Sequence, residues 1–334
     1  MCLNQNLNLI VNVSLKERQL LAHEERMLNR IRVKPPAESF FDSDPKNRCM
    51  LDTRVDLIEK LVSFAISESD DTSQRLFMLS GPVGCGKSSV AKSVAYALRQ
   101  RDCLLETFVF QADRDTKWNP TNFLRTVAYS IALRYEPYRK TLVKALDKDK
   151  VKVEHHDPSI QFDVLLGDPL NEMLNNSSLQ HPSNQAIIID ALDECSDPES
   201  LCSYLVKIID HCPWIRILVT SRPLEGVEAT LCRTGYTESL DLFTVNAHED
   251  IIKFTQTQFT SNGPLHQLQS QVTQEDVRAL GKRSHGLFLW ITTILAHLDK
   301  YKMPSEKLKE LKKILAGTAA DSEKELDQIY LQVL

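Results

Sequence analysis

The strongest constraint on the fold of this chain is a glycine-rich stretch, Gly81–Ser89, whose letters are GPVGCGKSS. The stretch fits the pattern G-x-x-x-x-G-K-[ST], in which a loop of backbone N–H groups cradles phosphate oxygens. Glycines permit the positive φ angles that bring successive N–H groups close to an anion. Such a loop requires a strand before it and a helix after it, because the positive end of that helix faces the same anion.

The residues on both sides of the loop favour this arrangement. The apolar run Leu76–Ser80 precedes the loop and is typical of a buried parallel strand. After the loop, apolar residues between Val90 and Leu98 recur at helical spacing. We therefore predict that the loop binds the phosphates of a nucleotide. The predicted nucleotide-binding residues of the loop are Gly81, Pro82, Val83, Gly84, Cys85, Gly86, Lys87, Ser88 and Ser89.

Three side chains of the loop have specific expected properties. Lys87 is expected to reach the β- and γ-phosphates, and the Ser88 hydroxyl is expected to help hold Mg²⁺. Cys85 lies among backbone N–H groups and beside Lys87, a setting that predicts a lowered thiol pKa. We therefore expect Cys85 to be a target of oxidation or alkylation rather than a catalytic group.

A second motif supplies acidic residues. The β-branched run Ala186–Ile189 predicts a central strand, and Asp190, Asp193 and Glu194 follow directly. Ligands of open α/β sheets bind at the carboxyl ends of the strands, where these carboxylates are expected. Asp190 is expected to hold the Mg²⁺ of a bound nucleotide, directly or through water. Either Asp193 or Glu194 is then placed to orient or deprotonate the attacking water, and the sequence leaves that choice open.

A third motif places an arginine at the end of another strand. The apolar run Arg216–Thr220 predicts that strand, and Arg222 follows it after one serine. An arginine in this position can sense or stabilise the γ-phosphate of a nucleotide. The chemistry alone allows an ordinary surface arginine equally well.

The order of the predicted elements indicates the fold class. Strands and helices alternate as far as about residue 245, which predicts an α/β fold with a doubly wound parallel sheet of the P-loop NTPase kind. Within this part, Phe162–Met173 has a helical pattern that Asp168 and Pro169 are expected to interrupt. After about Ala247 the pattern is wholly helical and predicts a small all-helical domain.

Composition restricts the remaining possibilities. The chain has 334 residues and a formal net charge of −5, which argues against a nucleic-acid-binding surface as its main function. It contains no run of 18 apolar residues, and its first residues lack the pattern of a signal peptide. The eight cysteines have no metal-type spacing and are typical of reduced thiols. We expect a cytoplasmic protein with no membrane span and no nucleic-acid partner.

Taken together, the three motifs resemble those of the NACHT group of STAND signalling P-loop NTPases. More narrowly, they are similar to the nephrocystin-like N-terminal NTPase domains that are numerous in mushroom-forming fungi. Weaker resemblances cover roughly residues 40 to 334. They are the segments Asn47–Arg54, Asp250–Ile251, Gly286–Trp290 and Leu326–Leu334. In the family pattern, Thr53 and Arg54 match the position that approaches the adenine side of the nucleotide.

This resemblance implies a division of the chain. Residues 1–45 form an N-terminal leader, 46–245 the NACHT-type NTPase domain, 246–320 the helical domain and 321–334 a truncated start of a winged-helix-like region. The leader contains leucines at helical spacing between Leu15 and Arg32, which predict an amphipathic helix. That helix is either a partner-binding coil or a helix that is solvated or docks on the protein.

The resemblance also implies a function, namely an ATP/ADP-binding switch with slow ATP hydrolysis in fungal innate-immune-like or incompatibility signalling. In such proteins ADP holds the module closed, ATP opens it, and open modules assemble with one another and with protein partners. ATP rather than GTP is expected from the resemblance alone. Two alternatives remain open: a catalytically active NTPase, either a motor or a phosphotransferase, and a non-catalytic interaction module with the same fold.

Overall fold

The computed structural model describes residues 18–33, 47–67, 74–110, 119–148, 157–175, 182–233, 235–261 and 263–317. Its centre is a parallel sheet of five strands. These are β1 (Leu76–Ser80), β2 (Leu104–Val109), β3 (Gln185–Asp190), β4 (Ile215–Ser221) and β5 (Thr237–Asp241). The strands lie in the order β2-β3-β4-β1-β5. The three strands that carry the predicted motifs, β1, β3 and β4, are therefore neighbours.

Helices cover both faces of the sheet. They are α1 (18–31), α2 (Val55–Ile66), α3 (Lys87–Gln100), α4 (Pro120–Arg134), α5 (Glu136–Lys148), α6 (Pro158–Phe162), α7 (Asp168–Asn175), α8 (Pro198–His211) and α9 (Glu225–Cys232). Every residue of β1, β3 and β4 is buried, as parallel strands between two helical layers require. Side chains alternate, so that Leu76 and Met78 enter one core while Phe77 and Leu79 enter the other. The predicted doubly wound α/β fold is confirmed.

The helix of the leader docks on the protein. Leu28 and Ile31 of α1 are buried in the larger of the two cores beside the sheet. Arg139 of α5 donates a hydrogen bond from Nε to Oε2 of Glu24 at 3.0 Å. Of the two interpretations that the sequence left open, these contacts favour docking on the protein.

One helical prediction needs correction. The pattern over Phe162–Met173 is interrupted by a π-helical turn at Asp163–Gly167, before the expected break. Pro169 follows this turn as the second residue of α7, and the helical run continues through Asp168 and Pro169 without a break. Tyr138 donates a hydrogen bond to the carbonyl of Leu165 in this turn, at 2.5 Å.

After β5 the chain forms a separate group of helices, here called the helical part (residues 247–317). Its helices are α10 (His248–Thr260), α11 (Gln274–Arg283), α12 (Phe288–Asp299) and α13 (Pro304–Ala316). They enclose a third core that includes Ile251, Leu280, Ile291 and Leu311. The predicted winged-helix start at residues 321–334 lies outside the described residues.

In the ranges that the structure describes, no helix is both long enough and apolar enough to cross a membrane.

Candidate functional site

The glycine-rich stretch forms a loop between β1 and α3. Gly81, Gly84 and Gly86 have φ angles of 147°, 83° and 101°, which L-residues rarely adopt. Gly86 is the N-cap of α3, and a glycine has no side chain with which to cap the helix. The first N–H groups of α3 therefore remain for an anion in the loop, which agrees with the phosphate-binding role predicted from the motif.

Lys87, the first residue of α3, folds back over this loop. Its Nζ donates hydrogen bonds to the carbonyl oxygens of Gly81 at 2.7 Å and of Pro82 at 2.9 Å. The ammonium group is thus held at the loop by the loop's own carbonyls. In this position it adds a positive charge to the backbone N–H groups that line the loop.

Asp190 ends β3 and lies beside both the loop and β4. The residue is only 2% exposed, and Thr220 of β4 donates a hydrogen bond to Oδ1 of its carboxylate at 2.5 Å. The side chain of Ser88 also lies close enough to Asp190 to lower its pKa. Burial raises the pKa of Asp190 above its ordinary value, and the interactions with Thr220 and Ser88 offset only part of that rise.

The pairing of Ser88 with Asp190 has the chemistry of a magnesium site. Mg²⁺ takes oxygen ligands and is usually bound through one or two carboxylates together with substrate phosphates. The structure brings a hydroxyl and a carboxylate together across three strands of the sheet, next to the phosphate loop. The two residues chosen from the sequence therefore fit this ion. The sequence analysis did not select Thr220, which donates a hydrogen bond to Asp190. Its position as a polar residue near the end of an apolar strand could have indicated a place in the site.

Arg222 and Asp193 form a doubly hydrogen-bonded pair. The backbone N–H of Arg222 donates to Oδ1 of Asp193 at 2.9 Å, and its Nε donates to Oδ2 at 2.5 Å. Burial alone would raise the pKa of Asp193, but the hydrogen bonds from Arg222 outweigh it and lower the pKa. Both oxygens of Asp193 are thus engaged by one residue.

Glu194 completes the acidic group at this edge of the sheet. It is the last residue of a short 3₁₀ helix, Leu192–Glu194, and is half-buried. The pKa of Arg222 is raised, first by its hydrogen bond with Asp193 and in smaller measure by the charge of Glu194. The structure therefore brings Asp193, Glu194 and Arg222 together at the carboxyl ends of β3 and β4, while Asp190 lies close to Ser88 of the phosphate loop.

Cys85 differs from the sequence-based expectation. The residue is 1% exposed, and a Cβ atom at Gly81 would lie 3.0 Å from its Sγ. Burial raises the pKa of the Cys85 thiol, and the charge of Lys87 offsets only part of that rise. The prediction of a lowered pKa and an accessible, reactive thiol is therefore wrong, because the loop turns this side chain into the protein.

Thr53 and Arg54 lie just before α2, and both are buried. Arg54 donates a hydrogen bond from its backbone N–H to Oδ2 of Asp250 at 3.1 Å, and another from Nη1 to the carbonyl of Val245 at 3.2 Å. Its guanidinium also lies 5.8 Å from the centre of the Phe288 ring. These contacts join the lead-in segment to the helical part, and the expected contact of Thr53 and Arg54 with adenine stays a prediction.

The helical part also contacts the phosphate loop itself. The backbone N–H of Leu289, in the first turn of α12, donates a hydrogen bond to the carbonyl of Gly84 at 3.1 Å. The Leu289 side chain packs over Gly84 so closely that a Cβ atom there would collide with it. This contact could not be predicted from the sequence, because the apolar pattern indicates that α12 is a helix but not which elements it packs against.

These features define the class of the protein. Three features lie at the carboxyl edge of a five-stranded parallel sheet: a glycine loop with a lysine and a serine, an acidic strand end, and an arginine. This combination makes the chain a P-loop NTPase. Residues 58–222 match the family model described as Nephrocystin 3, N-terminal. This segment belongs to that family, as its motifs predicted.

Comparisons with solved structures found distant similarity. No curated protein sequence matches the chain. Among solved structures, it is similar to Drosophila ORC bound to DNA, with a TM-score of 0.44 and 9% identity over 91% of this chain and 65% of that one. It is also similar to Cdc6p from Pyrobaculum aerophilum, with a TM-score of 0.46 and 10% identity over 79% of this chain and 65% of that one. The chain thus spans 65% of the length of each of these two structures.

Proposed function

We propose that this chain is an ATP/ADP-binding, NACHT-type signalling switch that hydrolyses ATP slowly. The observation that carries the proposal is the hydrogen bond from Leu289 to Gly84, since it links the loop that binds phosphates to the helical part. A switch needs a nucleotide to interact differently with two conformations of the protein. A loop that contacts both the nucleotide and the helical part provides such a difference.

The residues of the loop supply the binding energy in this proposal. Lys87 exchanges its two loop carbonyls for the β- and γ-phosphates, and the N–H groups of Gly81–Ser89 surround the same phosphates. Ser88 and Asp190 hold Mg²⁺, which neutralises phosphate charge when it is bound. Thr53 and Arg54 remain candidates for the adenine side of the nucleotide. Arg54 lies close enough to the loop residue Cys85 to interact with it electrostatically, and it also contacts Phe288 of the helical part.

Asp193 is the weaker candidate for the residue that activates water, which leaves Glu194 as the proposed base. A general base needs a carboxylate oxygen that can accept a proton, whereas both oxygens of Asp193 already accept hydrogen bonds from Arg222. Asp193 also has a lowered pKa, with the hydrogen bonds from Arg222 outweighing the effect of burial. A weakly basic, fully engaged carboxylate is a poor proton acceptor. The slow hydrolysis in this proposal rests on the family resemblance.

The wider role rests on the family resemblance. It favours ATP over GTP, protein partners, self-assembly of the open form, and a place in fungal innate-immune-like or incompatibility signalling. It also favours the division into a leader (1–45), an NTPase domain (46–245), a helical domain (246–320) and a winged-helix start (321–334). The contacts between α12 and the phosphate loop support this division, because a nucleotide in the loop could then affect the helical domain.

The first test is to identify the nucleotide that the purified protein carries. The full chain is denatured with acid and the released nucleotide is identified by chromatography, with Lys87→Ala as the comparison. Near-stoichiometric ADP from the native chain and none from the variant supports the proposal. An empty protein whose melting temperature does not respond to Mg-ATP or Mg-ADP contradicts it, because a ligand of the native state must raise apparent stability.

A second measurement separates a switch from a working enzyme. Steady-state ATP turnover is followed with and without nucleic acid or peptide mixtures. Slow turnover that none of them stimulates supports the switch. Fast turnover that one of them stimulates favours the motor or phosphotransferase alternative.

A further inference from the structure

We infer that Asp193 is a positioning residue, which holds Arg222 so that the two terminal amino groups of its guanidinium receive the terminal phosphate of a bound triphosphate. The inference rests on the proposed function, and it gives Asp193 a task different from that of a general base. Asp193 acts through Arg222 and makes no contact with the nucleotide itself.

The first argument is the geometry of the pair. Asp193 takes one hydrogen bond from the backbone N–H of Arg222 and one from Nε. The first fixes the main chain at the end of β4, and the second fixes the rotation of the guanidinium plane. The carboxylate is 5% exposed, so neighbouring atoms hold it in place, while the arginine side chain is 51% exposed. A buried acceptor thus orients a half-exposed donor.

The second argument is what the pair leaves available. A guanidinium carries five N–H donors in a planar fork, and Asp193 uses only the one on Nε. Within the described part of the chain, no residue accepts a hydrogen bond from the terminal amino groups of Arg222. Two parallel donors on one plane match two oxygens of a phosphate group.

The third argument is location. Ser80 of β1 pairs with Ser221 of β4, so the phosphate loop and Arg222 leave the sheet at the same level on adjacent strands. Asp193 comes from the turn after β3, on the other side of β4. It can therefore hold Arg222 from the side away from the loop. A terminal phosphate, which ATP has and ADP lacks, would approach from the loop side.

The alternative is a purely structural role, in which the pair ties the turn after β3 to the end of β4. Both roles predict some loss of stability when the pair is broken. They differ in one readout, because only a positioned Arg222 discriminates ATP from ADP. The ratio of the two affinities therefore tests the inference.

The experiment uses the full chain, stripped of nucleotide, and titrates it with Mg-ADP and with a magnesium complex of a non-hydrolysable ATP analogue. Arg222→Ala is expected to weaken analogue binding about ten- to hundredfold while ADP binding changes little. Asp193→Asn is expected to weaken analogue binding in the same selective way, by a smaller factor. The double variant is expected to be no worse than Arg222→Ala alone, since Asp193 acts through that arginine.

Arg222→Lys provides a second variant that leaves Asp193 intact and changes only a half-exposed side chain. Lysine keeps the positive charge but has no Nε–H to donate to Asp193 and no planar fork. We expect it to lose most of the preference for the ATP analogue. If it keeps the native ratio of affinities, orientation by Asp193 is unnecessary and the inference is wrong.

Two further outcomes would also overturn it. An Asp193→Asn variant that melts at a lower temperature but keeps the native ratio of affinities shows a structural pair only. Effects of the two single substitutions that multiply in the double variant show that Asp193 acts independently of Arg222. A native chain that binds neither nucleotide refutes the proposed function itself, and the inference falls with it.

Discussion

The backbone N–H of Leu289 donates a hydrogen bond to the carbonyl oxygen of Gly84 over 3.1 Å, and so connects α12 directly to the phosphate loop. Gly84 has a φ of 83°, a conformation that glycine adopts without strain. Its missing side chain also leaves the space that the Leu289 side chain occupies. A single loop position thus serves both the phosphate cradle and the contact with the helical part.

Gly84→Ala is expected to separate the helical part from the loop. The new Cβ atom would collide with the Leu289 side chain, and alanine is strained at a positive φ. We expect a loss of about 1–3 kcal/mol in the free energy of unfolding from the strain alone. We also expect faster hydrogen exchange in the first turns of α12, measured by mass spectrometry on the nucleotide-free chain.

Gly235→Ala is the matched control for this substitution. Gly235 also has a positive φ, of 72°, but among the described residues, its two chain neighbours aside, no atom lies within 4 Å of the position of its Cβ. The control therefore carries the backbone strain without a collision. Equal exchange of α12 in both variants would mean that the contact between Leu289 and Gly84 does not hold the helical part.

Lys87→Ala is expected to weaken nucleotide binding. The ammonium of Lys87 donates hydrogen bonds to two loop carbonyls and so places a positive charge at the phosphate cradle. Charge-assisted hydrogen bonds are worth about 1.5–3 kcal/mol each, so loss of the ammonium should weaken Mg-ADP binding by about tenfold or more. Isothermal titration calorimetry measures this directly.

Lys144→Ala is the control for the loss of one positive charge. Lys144 pairs with Glu172 at 2.7 Å on the protein surface, and such exposed pairs contribute little to stability. It should bind Mg-ADP as the native chain does. If Lys87→Ala binds equally well, the glycine loop is not the phosphate site.

The parts of the site that follow from local patterns could be predicted from the sequence. The run Leu76–Ser80 and the loop after it specify a strand, a cradle and a helix without reference to the rest of the chain. Asp190 and Arg222 follow apolar runs, and the carboxyl ends of parallel strands share one edge of the sheet. These placements depend only on element type and chain direction.

The remaining features depend on which elements become neighbours, and sequence patterns do not encode this. Asp193 meets Arg222 because β4 lies next to β3, while Leu289 meets Gly84 because α12 packs on the loop. The thiol of Cys85 is a third case. Its sequence neighbours predicted a lowered pKa, but its buried orientation in the folded loop raises it.

Glu194→Gln is expected to preserve nucleotide binding and to slow hydrolysis. Removal of a general base costs about 10²–10⁴-fold in rate, because the attacking water is no longer deprotonated in the transition state. Single-turnover assays with radiolabelled ATP separate this step from ADP release. The comparison is Asp193→Asn, which should mainly change the discrimination between ATP and ADP. A rate loss in Asp193→Asn together with a native rate in Glu194→Gln would assign the base to Asp193.

Asp190→Asn is expected to stabilise the nucleotide-free chain at neutral pH. Burial raises the pKa of Asp190 in the folded state, so the folded chain holds this proton more tightly than the unfolded chain does. The favourable contribution of protonated Asp190 is complete below the unfolded carboxyl pKa of about 3.9 and is lost as pH rises through the higher folded value. The amide avoids that loss, and melting temperatures of the two proteins should converge towards about pH 4.

Asp276→Asn provides a control of opposite sign in the helical part. There, hydrogen bonds from Lys312 and Thr273 outweigh the effect of burial and lower the pKa of Asp276. That carboxylate stabilises the fold above the unfolded pKa, and its contribution is lost as pH falls through the lowered value. The amide should therefore destabilise the chain at neutral pH.

With Mg-ATP present, Asp190→Asn alone should lose the rise in melting temperature, since the Asp190 carboxylate is a proposed magnesium ligand. An Asp190→Asn protein that is less stable than the native chain without nucleotide would show that this carboxylate is held for stability rather than for the ion.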